Sequence, residues 1–186
     1  MPRLFTGIEI PADIAFELEL MRGGVWGARW IDRESYHITL RFIGDVSEGT
    51  AREVAETLDM IDMPAFTLKL KGVDTFGGAK PRTIFAGVAE HPELRRLQSS
   101  QERLFQMIGL KPETRKFTPH VTLARLRDPV VASVESYVMS HSLFESRPFD
   151  VSRFVLFSSR PSRGGGPYAV EEIYPLESDY RLNEAM

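Results

Sequence analysis

Two short segments of this 186-residue chain are near copies, His37-Ile38-Thr39-Leu40 and His120-Val121-Thr122-Leu123, and each holds one of its four histidines. Histidine has an ordinary pKa of about 6.5, so it can give or take a proton near neutrality. A threonine hydroxyl can donate a hydrogen bond to an oxygen on which negative charge builds. In a strand, residues i and i+2 share a face. His37 therefore points with Thr39, and His120 with Thr122, while Ile38, Leu40, Phe42, Val121 and Leu123 point to the core. Two imidazoles and two hydroxyls brought to one cleft suit acid–base chemistry on a phosphodiester. One ring would take the proton of the attacking oxygen and the other would protonate the departing one. The symmetry of the two motifs does not say which ring is acid and which is base.

Other chemistries fit less well. There is no cysteine, and neither motif contains Asp or Glu, so a histidine-only metal site would have few ligands. No Gly-x-Ser-x-Gly elbow of a serine hydrolase is present. His91 and His141 flank helical patterns and read as solvated. The Gly164-Gly165-Gly166 run lacks a Walker lysine pattern and reads as a hairpin tip rather than a phosphate cradle. Phe5 and Trp30 read as core. Lys80, Arg82, Arg115, Lys116 and Arg127 fall in turns or loops near the motif strands, where they could follow a nucleic-acid backbone.

The elements that must hold these groups follow from periodicity and breakers. Leu4–Ile10 reads as a strand ended by Pro11, and Asp13–Met21 as a helix with Ile14, Leu18 and Met21 on one face. Arg29–Ile31 and Tyr36–Ile43 read as strands. Ser47 caps a helix reaching about Met60. Phe66–Phe76 alternates as one strand, and Thr83–Val88 as the next. Pro92–Ile108 is the longest helical stripe, with Leu94, Leu97, Leu104 and Ile108 apolar. Pro129–Met139 reads as a helix despite its β-branched valines. Phe149–Phe157 and Tyr168–Tyr174 are strands joined by a loop holding Pro161 and the glycines. Strands and helices do not alternate regularly, so an α+β fold is expected over a doubly wound parallel sheet. The motifs stand nearly half a chain apart, which suits two similar lobes, each supplying one active strand.

Size and composition agree with one domain over residues 1–186. The chain is 42% hydrophobic and 26% charged with a net charge of −3, so no global field draws it to a polyanion. Met1–Gly7 shows no secretory pattern and no stretch reaches bilayer length, giving the expectation of a cytoplasmic protein and a monomer.

Read along its length, the chain resembles the 2H phosphoesterases, and among them the RNA 2′,3′-cyclic phosphodiesterases once described as 2′-5′ RNA ligases. The resemblance rests on Arg3-Leu4-Phe5 through Pro11, Arg29-Trp30-Ile31 with Tyr36–Val46, Phe117–Arg125, and the closing stretch from Phe157 to Tyr174. It implies a bilobal α+β fold with pseudo-twofold symmetry and antiparallel sheets flanking a central cleft. It implies that His37 donates a proton, that His120 activates water, that Thr39 and Thr122 bind phosphate, and that no metal or cofactor is needed. The product would carry a 2′-phosphomonoester, with weak reverse 2′-5′ joining. Arg125 matches the family arginine that approaches the phosphate, yet on an ideal strand it is out of phase with His120 and Thr122 and needs a bulge. Arg41, in phase with His37 and Thr39, is its rival. Two other functions remain open at this point: a nucleotide-binding module without turnover, and a 2H enzyme acting on a small cyclic nucleotide.

Overall fold

The computed structural model describes residues 1–159 and 167–177. Among the described residues are ten strands: β1 (Arg3–Glu9), β2 (Ala28–Trp30), β3 (His37–Asp45), β4 (Phe66–Leu68), β5 (Leu70–Phe76), β6 (Thr83–Val88), β7 (His120–Leu126), β8 (Phe149–Val151), β9 (Arg153–Ser159) and β10 (Tyr168–Pro175). Four helices join them: α1 (Ala12–Glu19), α2 (Glu48–Leu58), α3 (Pro92–Met107) and α4 (Val131–Ser140). Among the described residues, no helix is long and apolar enough to cross a membrane.

The main sheet runs β10-β9-β1-β3-β7-β6-β5, and every pairing in it is antiparallel. Its centre is a single contact, Ile38 of β3 against Val121 of β7. Beyond that point β3 continues along β1 while β7 turns to β2 and β6. The succession β1-α1-β3-α2 is thereby repeated by β6-α3-β7-α4 about the central contact. The α+β fold and its two similar halves are as the sequence implied.

Both motif strands show the same run of burial. In β3, Ile38, Leu40 and Arg41 are buried while His37 and Thr39 are half-buried. In β7, Val121, Leu123 and Ala124 are buried while His120 and Thr122 are half-buried. Ile38, Leu40, Val121 and Leu123 enter one core with Ile14, Leu18, Val54, Leu58, Leu94, Leu97, Phe105 and Val134 from the four helices. A slip of one residue in either strand would turn its apolar side chains outward. At about 2 kcal/mol for each of the four, slips in both would forfeit roughly 8 kcal/mol, comparable to a domain's whole stability. The core thus fixes which face carries the histidines.

Two successive buried residues in each strand mark a bulge. Thr6 pairs with Arg41 and Gly7 with Thr39, leaving Leu40 unmatched; Ile84 pairs with Ala124 and Phe85 with Thr122, leaving Leu123 unmatched. Each bulge reverses the alternation. Phe42, expected in the core, is instead 45% exposed.

Several boundaries differ from the sequence reading. The Phe66–Phe76 run is two strands, β4 paired with β8 in a separate small sheet and β5 paired with β6. Phe149–Phe157 divides likewise at Ser152. Alternation cannot reveal such a change of hydrogen-bond partner, because Phe66, Leu68 and Leu70 are buried on both sides of the break. Ser47 does cap α2, accepting the Thr50 amide proton at 3.1 Å. His91 and His141 are not solvated. His91 Nδ1 caps α3 by accepting from the Glu93 amide at 3.2 Å, and its ring packs on Phe66. His141 stacks on Tyr137 at 4.1 Å between centroids and bonds the Tyr137 carbonyl. Pro161 and the three-glycine run lie outside the described residues.

Gly7 is a close approach between β1 and β3. A Cβ there would stand 2.8 Å from the Ile38 carbonyl oxygen and 3.6 Å from the His37 ring. Because the nearer obstacle is backbone, Gly7→Ala should lower stability by about 1–3 kcal/mol. Urea unfolding of the variant beside the parent measures the loss, and an unchanged midpoint would show that the two strands separate freely.

Candidate active site

The register at the centre of the sheet brings the two motifs together. Ile38 lies opposite Val121, so stepping one residue along sets His37 toward Thr122 and Thr39 toward His120. All four line one cleft of about 850 Å³ on the face opposite the core.

Each imidazole is held in the same way. His37 Nδ1 lies 2.8 Å from the Ser35 carbonyl oxygen, and His120 Nδ1 lies 2.7 Å from that of Thr118. A carbonyl only accepts, so Nδ1 carries the hydrogen in both rings. In the neutral form this leaves Nε2 with its lone pair. Thr39 Oγ1 donates to His37 Nε2 across 3.0 Å. Each histidine is thus oriented by a backbone oxygen two positions earlier, which leaves the Nε2 lone pair as the ring's proton-accepting position.

Aromatic rings wall both sites. His37 packs on Phe5 at 5.0 Å and edge-on to Tyr168 at 5.1 Å, with Phe5 stacked on Phe157. His120 packs on Phe85 at 5.2 Å and edge-on to Phe76 at 4.8 Å, with Phe76 stacked on Phe85. Phe5 and Phe157 form a small cluster with Val155, separate from the main core. Phe5 is buried as the sequence implied, and the same ring also packs beside His37. The four phenylalanines carry no sequence signal beyond strand alternation, and only the pairing of β1 with β9 and β5 with β6 makes two stacks of them. Trp30 does pack inward, against Tyr137.

This apolar lining controls the charge state. Burial pushes His37 down to about 4; the Ser35 hydrogen bond opposes this, and the charges of His120 and Arg125 add to it. Burial also lowers His120, against the Thr118 hydrogen bond. Both rings are therefore neutral at pH 7.

The bulges give the two arginines different surroundings. Past Leu123 and Ala124, Arg125 is exposed and lines the cleft on the side of His120 and Thr122. Arg41 also borders the cleft but is only 7% exposed, and its guanidinium is engaged by Glu102 and by the carbonyls of Phe42 and Lys111. The position equivalent to Arg125 in the other half is Phe42, and that equivalent to Arg41 is Ala124. Arg82, Arg115 and Lys116 also line the cleft, whereas Lys80 and Arg127 lie away from its lining.

An eight-stranded antiparallel sheet with two His-x-Thr strands meeting at its centre is the architecture of the 2H phosphoesterases. Residues 10–163 match the sequence pattern of the 2′-5′ RNA ligase superfamily, and the chain belongs to that family. A protein of Aquifex aeolicus named RNA 2′,3′-cyclic phosphodiesterase is 32% identical over 78% of this chain and 81% of its own length. One of the same name from Aeropyrum pernix is 42% identical over 52% of this chain; the match spans 56% of that relative. The crystal structure of E. coli LigT complexed with 3′-AMP superposes with a TM-score of 0.77 at 26% identity, covering 95% of this chain and 99% of the other.

Free His37 titrates near 4 when folded and near 6.5 when unfolded, so the unfolded state takes the proton first as pH falls. The stability held by the neutral ring is complete above about pH 6.5 and is lost toward pH 4. Between pH 7 and 4.5 the native protein should lose roughly 2 kcal/mol more than His37→Asn. Urea unfolding of both at each pH measures the difference, and parallel pH profiles would mean that His37 is not desolvated.

Proposed function

We propose that this protein opens 2′,3′-cyclic phosphates at RNA ends to 2′-phosphomonoesters, without a metal, with all of residues 1–186 acting as one monomeric two-histidine unit. The observation that carries the reading is the paired geometry: two imidazoles in one cleft, each with Nδ1 tied to the carbonyl two residues back and Nε2 left for proton transfer. It agrees with the name borne by the Aquifex and Aeropyrum relatives.

Water attacks phosphorus as His120 Nε2 takes its proton, and protonated His37 gives its Nε2 proton to the departing 3′ oxygen. The Thr39 and Thr122 hydroxyls and the Arg125 guanidinium donate to the non-bridging oxygens, where charge increases during attack. Which ring is acid and which is base comes from the family resemblance. The low pKa of free His37 sets a condition on its role. Protonating a group of pKa about 4 at pH 7 costs about 4 kcal/mol. A phosphodiester anion about 4 Å away returns a similar amount at an effective dielectric constant near 20. Substrate binding thus charges the acid. Run backwards, the same proton transfers give a weak 2′-5′ joining reaction. A cleft of this size with Arg82, Arg115 and Lys116 along it favours an oligonucleotide over a small cyclic nucleotide or a mere nucleotide-binding role. A cytoplasmic location, expected from the sequence, is part of the same proposal.

An oligonucleotide ending in a cyclic phosphate, incubated with the purified protein and followed by 31P NMR, should yield the 2′-phosphomonoester at an undiminished rate in EDTA. His37→Ala and His120→Ala should each lower kcat by about 10²–10⁴-fold with the fold retained. Near-native turnover by either variant removes that ring from the mechanism, and loss of activity in EDTA restores a metal.

A further inference from the structure

Arg41 sits two residues past Thr39 on the first motif strand, yet its contacts lead to the second motif. Its Nε donates to Glu102 on α3, and its Nη2 donates to the carbonyl of Lys111, in the segment between α3 and β7. Glu102 continues the chain of contacts. Its Oε1 accepts the Glu113 amide proton at 2.9 Å and a proton from the Gln106 side chain at 3.0 Å. Glu113 in turn accepts from the backbone amide and the guanidinium of Arg115. Three residues further on is Thr118, whose carbonyl fixes Nδ1 of His120.

Residues 108–119 contain neither helix nor strand, so no ladder of backbone bonds holds them. The Arg41–Glu102 pair substitutes for one. It is well shielded, with side-chain exposures of 7% and 16%. Burial pushes the Glu102 carboxyl up, but the bonds from Arg41, Glu113 and Gln106 outweigh it and leave Glu102 below its usual range. Next to the pair, buried Thr6, the β1 partner of Arg41, donates to Gln101 Oε1 across 2.5 Å. Helix α3 is thereby pinned to β1 and β3 at two adjacent points. The equivalent of Arg41 in the other half is Ala124, so this clamp exists on one side only.

We propose that Arg41 and Glu102 are positioning residues: from the first motif strand they hold the 108–119 segment so that the Thr118 carbonyl fixes the tautomer and aim of His120. Arg41 borders the cleft, but its guanidinium bonds run to Glu102, Phe42 and Lys111, and the role assigned to both residues is exerted through the 108–119 segment. The kinetic part of the test rests on the cyclic phosphodiesterase reading, whereas the spectroscopic part does not.

The experiment records the ring nitrogens of His37 and His120 by NMR in the native protein, Arg41→Met, Glu102→Gln and the double variant Arg41→Met/Glu102→Met. In the native protein His120 should be the Nδ1–H tautomer. In Arg41→Met and Glu102→Gln it should become a mixture of tautomers with its pKa lowered further, because the Thr118 bond that opposes burial is lost, while His37 stays unchanged. On a cyclic-ended oligonucleotide, kcat should fall about 10- to 100-fold with KM changed less than about threefold, as expected for a misaimed base. The double variant replaces a buried ion pair by apolar groups, a change that often restores stability. It should regain the native melting temperature but not the His120 signature or the rate. Native-like His120 signals in Arg41→Met, or full activity in the stable double variant, would overturn the proposal. If the native protein leaves the oligonucleotide intact while His120 responds as described, the clamp stands and the activity reading fails.

Discussion

The contact between Ile38 and Val121 is the constraint on which the rest of the molecule depends. It is one antiparallel pairing between strands that both begin at the centre of the sheet and run apart. Because side chains alternate, fixing this pair in the core forces the flanking His37 and Thr39, His120 and Thr122, to the other face and toward one another. Two separate segments of chain are thus combined into one site without any direct bond between the histidines. The four apolar residues on the inner face supply the energy that prevents a slip of register, so core packing and site geometry are two consequences of one alternation.

The bulges add what alternation alone forbids. A strict strand would put Arg41 beside the histidines and bury Phe42; the extra residue at Leu40 reverses this. The same device at Leu123 carries Arg125 to the cleft. Because the halves repeat the bulge but not the side chains, the cleft has an arginine on one side and a phenylalanine on the other. The aromatic stacks are repeated faithfully, and they keep both rings dry enough to be neutral at rest. In the proposed reaction an anionic substrate both occupies the cleft and charges the ring it needs, which couples binding to protonation.

Much of the site was legible in the sequence. The repeated His-x-Thr within an alternating strand identified four of its side chains, and the phase of Arg125 showed that a bulge was required. Helix ends were readable where local chemistry sets them, as at Ser47. The phenylalanine stacks, the carbonyls of Ser35 and Thr118 and the contacts of Arg41 were not. Backbone carbonyls are the same in every residue, and the partners of Arg41 lie far along the chain in Glu102 and Lys111. His91 and His141 were misjudged for a related reason, since a capping or stacked ring has the same local sequence as a solvated one.

What the sequence determined by itself was which histidines and threonines share a strand face opposite the core, because period-two alternation and a buried apolar partner are local properties of a strand. What the tertiary structure alone decided was which groups meet. Pairing β3 with β7 brings the histidines to one cleft, the bulges expose Arg125 and bury Arg41, and packing of α3 gives Arg41 its partner Glu102. Those outcomes depend on hydrogen-bond partners far away in sequence, whose free energy is realised only when the strands are assembled.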